Sequence, residues 1–207
     1  MGERAGMDNS VLSAYSLWLT PSKGAALEEL QNTINDISKR YSTPAFPPHV
    51  TLIGRISGPE LMMMDRTATI ASRIRQLRVA FGTIDKTDEY FRSLFIRIRK
   101  TEEIDGAASV ARKVFGEEHR AEYMPHMSLM YADMPVEKKE SIAVEYGLQG
   151  LAERIGSVAI DRISVYRTSA DVGKWKWIRD FELGGFAEGI NPNYGNDSRS
   201  WYSAKTI

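Results

Sequence analysis

Two of the three histidines in this 207-residue chain occupy the same short frame. The frames are Phe46-Pro47-Pro48-His49-Val50-Thr51-Leu52 and Tyr123-Met124-Pro125-His126-Met127-Ser128-Leu129. Each reads aromatic, any residue, Pro, His, apolar, hydroxyl, Leu. An imidazole exchanges its proton near neutral pH and is the usual general acid or base. A strand alternates its faces, so residues i and i+2 point the same way. Each frame therefore sets an imidazole beside a hydroxyl, His49 with Thr51 and His126 with Ser128. Val50, Leu52, Met127 and Leu129 turn to the other face, towards a core. Two such strands facing one another would frame a site with two imidazoles and two hydroxyls. His119 is a useful contrast, because it lies in the charged run Glu117-Glu118-His119-Arg120 with Ala121 where the hydroxyl would be; it reads as a solvated surface histidine.

In-line displacement at phosphorus needs a base on the attacking side and an acid on the leaving side. Two imidazoles across a phosphate supply both, and two hydroxyls can donate to the oxygens on which charge accumulates. A strained five-membered cyclic phosphate is already activated and needs no metal. Zinc sites ask for three or more protein ligands, and neither frame contains an acid, so no metal and no cofactor is expected. Neither Thr51 nor Ser128 sits in a Gly-x-Ser-x-Gly elbow, which argues against a hydroxyl nucleophile.

The elements that must position these groups follow from periodicity and breakers. An opening strand over Val11–Leu19 ends at Thr20-Pro21. Ser22 is placed to cap a helix over Lys23–Arg40, where Leu27, Leu30, Ile34 and Ile37 recur at helical spacing. Ser42 to Pro48 is a proline-rich extended loop, and the first motif strand runs from His49 to Ile56. A second helix is expected over Pro59–Arg78, then strands over Val79–Ile84 and Phe91–Arg99. In the latter, Arg92, Arg97 and Arg99 carry cations that could meet a phosphate, although alternation reads them as a solvated face. A third helix spans Thr101–Glu118, the second motif strand His126–Tyr131, and a short helix Pro135–Tyr146. Strands over Ile155–Tyr166 and Trp175–Leu183 close the fold. The expected class is α+β, a two-lobed duplicated unit of antiparallel sheets with helices outside. Residues 1–186 would form one bilobal domain and 187–207 a polar, poorly ordered tail that Trp201 and Tyr202 could dock.

The composition is that of a globular protein, 43% hydrophobic and 26% charged, with zero net charge at pH 7 and no cysteine. Zero net charge gives no long-range pull towards nucleic acid or anionic membrane. The absence of cysteine removes thiolate nucleophiles and disulfides. No apolar run approaches a membrane span, and Met1 to Asn9 lacks the apolar segment of a signal peptide. The cytoplasm is the expected compartment, with the nucleus or the Golgi surface as alternatives.

The paired frames make the chain resemble the two-histidine (2H) phosphoesterase superfamily over about residues 12 to 185. Within it the chain is similar to the fungal and plant cyclic phosphodiesterases. The opening Tyr15-Ser16-Leu17-Trp18-Leu19 before Thr20-Pro21 carries that likeness, as does Tyr131 three residues after Ser128. The resemblance implies a site in a cleft between two lobes, with His49 and His126 catalytic, Thr51 and Ser128 on the phosphate, and Tyr131 and Trp18 near the ligand. It implies a 2′,3′-cyclic-nucleotide 3′-phosphodiesterase. This would open nucleoside 2′,3′-cyclic phosphates to 2′-phosphates, and ADP-ribose 1″,2″-cyclic phosphate, a by-product of tRNA splicing, to the 1″-phosphate. His126 would activate water and His49 protonate the leaving alkoxide, a direction that the near-symmetry of the frames does not dictate. Plant members carry cysteines that this chain lacks, so redox control does not transfer. The expected partner is a small-molecule substrate of a monomer, with no stable nucleic-acid complex. Two other readings stand beside it: a 2′,5′-oligonucleotide or RNA-end phosphodiesterase of the same superfamily, and a non-catalytic nucleotide binder.

Overall fold

A computed structural model describes residues 14–184. The start of the chain and the segment carrying Trp201 and Tyr202 lie outside the described residues. β1 (Ala14–Pro21) leads into α1 (Ala25–Tyr41), whose Leu30, Ile34 and Ile37 are buried at the spacing that marks one helical face. β2 (Val50–Ser57) carries the first frame and α2 (Glu60–Arg73) follows. β3 (Leu77–Lys86) and β4 (Leu94–Ile98) flank a loop with a 3-10 turn at Tyr90–Arg92. α3 (Glu102–Phe115) starts on the Thr101 hydroxyl, which accepts from the Ile104 amide, and stops at Gly116 in the left-handed region. β5 (His126–Met130) carries the second frame. α4 (Val136–Glu145), α5 (Leu148–Ile155), β6 (Ser157–Thr168) and β7 (Lys176–Glu182) complete the chain.

The fold is α+β. The sheet order is β1-β2-β5-β4-β3-β6-β7, all neighbours antiparallel, and β1 also pairs with β6. Strands β1 to β6 thus close into a ring, with β7 added on β6. The closure is thin where the lobes meet: β2 touches β5 through the single register pair Val50↔Met127. The lobes do not follow chain order as a plain duplication requires, since β6 and β7 join β1 and β2 while β3 and β4 join β5. Val50, Leu52, Met127 and Leu129 are all buried, as the alternation of each frame requires.

Several boundaries differ from expectation. The α1 N-cap is Gly24 rather than Ser22, and no side chain caps it. α2 ends at Arg73, where Ile74 turns to extended backbone and the chain enters β3. Ile70, Ile74 and Leu77 keep helical spacing across that break, which is why the sequence reads on. Phe91 and Arg92 belong to the turn before β4 rather than to a strand. Ile155 ends α5, an eight-residue helix capped by Gly147 and Gly156 and too short for periodicity to reveal.

Candidate active site

The two frames build the same local device. His49 stands immediately before β2 and His126 opens β5, each following a proline. The His49 Nδ1–H donates to the Pro47 carbonyl at 2.7 Å, and the His126 Nδ1–H to the Met124 carbonyl at 3.0 Å. A carbonyl only accepts, so each bond fixes the proton on Nδ1 and leaves Nε2 unprotonated and free to accept a proton or a hydrogen bond. The frame aromatics cross over. Phe46 of the first frame stacks on Tyr131 at 4.0 Å, and the Tyr123 hydroxyl of the second donates to the Thr51 carbonyl at 3.0 Å. Each motif therefore holds the other in register.

Both histidines line one cavity of about 450 Å³, together with Thr51, Trp18 and Tyr131. Trp18 is placed by register: it pairs with Thr51 on β2 and with Ser164 on β6. It is 2% exposed, so it serves core and cavity wall at once. Tyr131 lies just past the end of β5, free of strict alternation, and reaches the same cavity. Ser128 behaves differently. It is buried and does not line the cavity; its hydroxyl lies near the Tyr131 phenol and opposes the effect of burial on it. His119 is remote from the site, its side chain 78% exposed.

Sequence reasoning missed Phe91, Trp175 and Glu89, which arrive from loops, and read Arg92, named there as a possible phosphate cation, as part of a solvated face. Phe91 and Trp175 wall the cavity and lie nearly parallel at 6.0 Å, and Trp175 also meets the edge of Tyr131. Arg92 and Glu89 line it as an ion pair. Arg92 is not part of a solvated strand face, because its 3-10 turn folds back over β5. By contrast, the Arg97 Nε donates to Asp85 at 2.7 Å on the exposed side. No periodic pattern marks these positions.

Burial pushes the His49 imidazole down to about 4; the Pro47 carbonyl opposes this and nearby His126 adds to it. Burial also lowers His126, against the Met124 carbonyl, and the Arg92 guanidinium lowers it further. Burial raises the Tyr131 phenol well above its ordinary range, so it stays a neutral donor. At neutral pH both imidazoles of the free protein are thus uncharged, with Nε2 an acceptor. Among the described residues no group of three or more His, Cys, Asp or Glu side chains is gathered closely enough to hold a metal ion. No described helix is long and apolar enough to cross a membrane.

A two-lobed antiparallel fold with one His-x-hydroxyl strand from each side of the cleft defines a 2H phosphoesterase. Within that class, residues 13–183 match the family model described as cyclic phosphodiesterase-like protein, and the chain belongs to that family. A 2′,3′-cyclic-nucleotide 3′-phosphodiesterase of Phaeosphaeria nodorum is 29% identical over 81% of this chain and 98% of its own. A cyclic phosphodiesterase of Arabidopsis thaliana is 23% identical over 74% of this chain and 87% of its own. Among solved structures, E. coli LigT complexed with NADP+ superposes with a TM-score of 0.53 at 12% identity, covering 84% of this chain and 99% of that one. At that identity the likeness is one of fold.

Proposed function

We propose that the chain is a metal-independent 2′,3′-cyclic-nucleotide 3′-phosphodiesterase, opening nucleoside 2′,3′-cyclic phosphates to 2′-phosphates. ADP-ribose 1″,2″-cyclic phosphate is a second substrate, opened to the 1″-phosphate, which links the activity to the by-products of tRNA splicing. The observation that carries this reading is the pair of imidazoles on one cavity wall, each with Nδ1 tied to a carbonyl and Nε2 left free. The names of the relatives support the class of reaction. The aromatic wall of Phe91, Trp175 and Tyr131 suits a nucleobase, which stacks on such faces.

His126, the more exposed of the two, is the better placed to take a proton from water. The water oxygen bonds to phosphorus as the bond from phosphorus to the ribose 3′-oxygen breaks. His49 gives its Nε2 proton to that oxygen and recovers one from solvent. A protonated His49 requires the substrate's negative charge, which offsets the burial that otherwise keeps this imidazole neutral. Thr51 donates to a non-bridging oxygen, and Tyr131, backed by Ser128, offers a second donor.

The test is turnover of 2′,3′-cyclic AMP and of ADP-ribose 1″,2″-cyclic phosphate, with EDTA, by wild type, His49→Ala and His126→Ala. Activity that survives EDTA and falls about 10²–10⁴-fold in each variant is expected for loss of an acid or base. No turnover of either substrate by wild type would overturn the reading, in favour of RNA ends or binding alone.

A further inference from the structure

The pair of imidazoles and hydroxyls contains no permanent charge, and burial holds both imidazoles towards their neutral forms. A cyclic phosphodiester is nevertheless an anion, and the monoester it yields approaches a dianion at neutral pH. The cavity contains one guanidinium that could answer this from within, that of Arg92. A terminal nitrogen of Arg92 pairs with Glu89, whose carboxylate shares the cavity wall. The Arg92 Nε is buried and has no hydrogen-bond partner among the described residues. An arginine fork with spare donors is suited to phosphate oxygens.

The loop holding this guanidinium is tied down on purpose-built contacts. The Thr87 hydroxyl donates to the Arg92 carbonyl at 2.7 Å and accepts from the Glu89 amide at 3.2 Å. Beneath it, Lys139 of α4, 1% exposed, donates from Nζ to the Thr87 carbonyl at 2.7 Å. The two other nearby arginines are placed otherwise: Arg97 is taken up by Asp85, and Arg55 lies exposed at the cavity rim.

We infer that Arg92 is the anion-binding residue of this cavity, and that the substrate phosphate displaces the Glu89 carboxylate from it. The inference rests on the reading that the cavity takes a phosphate ester. Glu89 is then an internal competitor: it keeps the guanidinium aimed while the cavity is empty and weakens anion binding by having to be displaced.

The probe is inorganic phosphate, titrated calorimetrically into wild type, Arg92→Met, Glu89→Gln and Arg55→Met. Arg92→Met is expected to weaken phosphate about tenfold or more, the scale of a charged hydrogen-bonded contact. Glu89→Gln is expected to tighten it several-fold, a direction that damage to the fold does not produce. Arg55→Met, which removes the same charge from the rim, should change it by less than about threefold. In parallel, Arg92→Met should raise KM for 2′,3′-cyclic AMP about tenfold with kcat within about threefold, as for lost uniform binding. Phosphate affinity unaffected by Arg92→Met, equal losses in Arg92→Met and Arg55→Met, or weaker binding in Glu89→Gln would overturn the inference. If the phosphate series holds while wild type turns over neither cyclic substrate, the anion site stands and the proposed activity falls. Turnover without the phosphate series has the opposite meaning.

Discussion

The Trp18 indole lies flat against the His49 imidazole, ring centroids 3.7 Å apart and planes within 12°. Tyr166 stacks on the same indole at 3.8 Å. The buried histidine is thus held by a π-face as well as by its carbonyl, and water is excluded from that side. Trp18→Ala should lose about 3–5 kcal/mol of stability in urea unfolding, as for other large-to-small core changes. Below its melting point, the variant's acidic limb in kcat/KM should move up in pH, because water would then solvate the His49 cation. Trp18→Phe keeps a flat face, and its limb should stay near the wild-type position. An unmoved limb in Trp18→Ala would show that the indole contributes packing alone.

Acid–base work by two imidazoles, one protonated and one neutral, gives a bell-shaped profile whose limbs in kcat/KM report the free protein. His49 is depressed to about 4, and His126 is lowered as well. Both limbs of kcat/KM should therefore fall below about 6.5, the ordinary imidazole value. In kcat, which reports the complex, the limbs should move upward because bound phosphate favours each imidazolium. A kcat/KM optimum above neutrality would contradict the burial of these two side chains.

Much of this site is legible in the sequence because the chemistry is concentrated in two strands. Alternation alone pairs His49 with Thr51 and His126 with Ser128, and it sends Val50, Leu52, Met127 and Leu129 into the core. Frame residues that look decorative turn out to be cross-links, Phe46 on Tyr131 and Tyr123 on Thr51. Phe91, Arg92 and Trp175 carry no such signal. Their places depend on how two loops fold over the sheet, and in Arg92's case on a lysine from a distant helix. The strand grouping is similarly hidden, since pairing β6 with β1 rather than with its own half is a tertiary choice.

The same depressed value makes His49 a source of acid sensitivity. Its folded pKa is about 4, below the unfolded value of about 6.5, so the unfolded chain binds more protons between them. The contribution is fully present above about pH 6.5 and is lost as pH falls through that window towards 4, in total about 3 kcal/mol. Urea unfolding of wild type at pH 7.5 and pH 4, beside His49→Gln, measures it. The wild type should lose about 3 kcal/mol more than the variant; equal losses would mean that His49 is solvated in the folded chain.

Lys139 makes a similarly local prediction. Lys139→Met keeps most of the side-chain volume but leaves the Thr87 carbonyl without its donor. A buried acceptor stripped of its partner is destabilising by about 1–3 kcal/mol. The effect should concentrate in the loop between β3 and β4, so amide exchange at Thr87 and Glu89 should quicken while that of β1 and β6 stays as in wild type. Uniform quickening would mean that Lys139 supports the fold in general rather than this loop.

The near-symmetry of the two frames breaks at their hydroxyls. Thr51 stands on the cavity wall, whereas Ser128 is buried outside that lining and lies near the Tyr131 phenol. Thr51→Ala should therefore lower kcat by about 10²-fold, the scale of one lost donor to a developing oxyanion. Thr51→Ser should retain most of the rate. Ser128 acts through the phenol, so Ser128→Ala and Tyr131→Phe should each lower kcat, and the double variant should fall no further than Tyr131→Phe alone. A double-mutant cycle on kcat, with melting temperatures to separate packing losses, decides the point. Additive losses would mean that Ser128 meets the phosphate directly and that the two frames act alike.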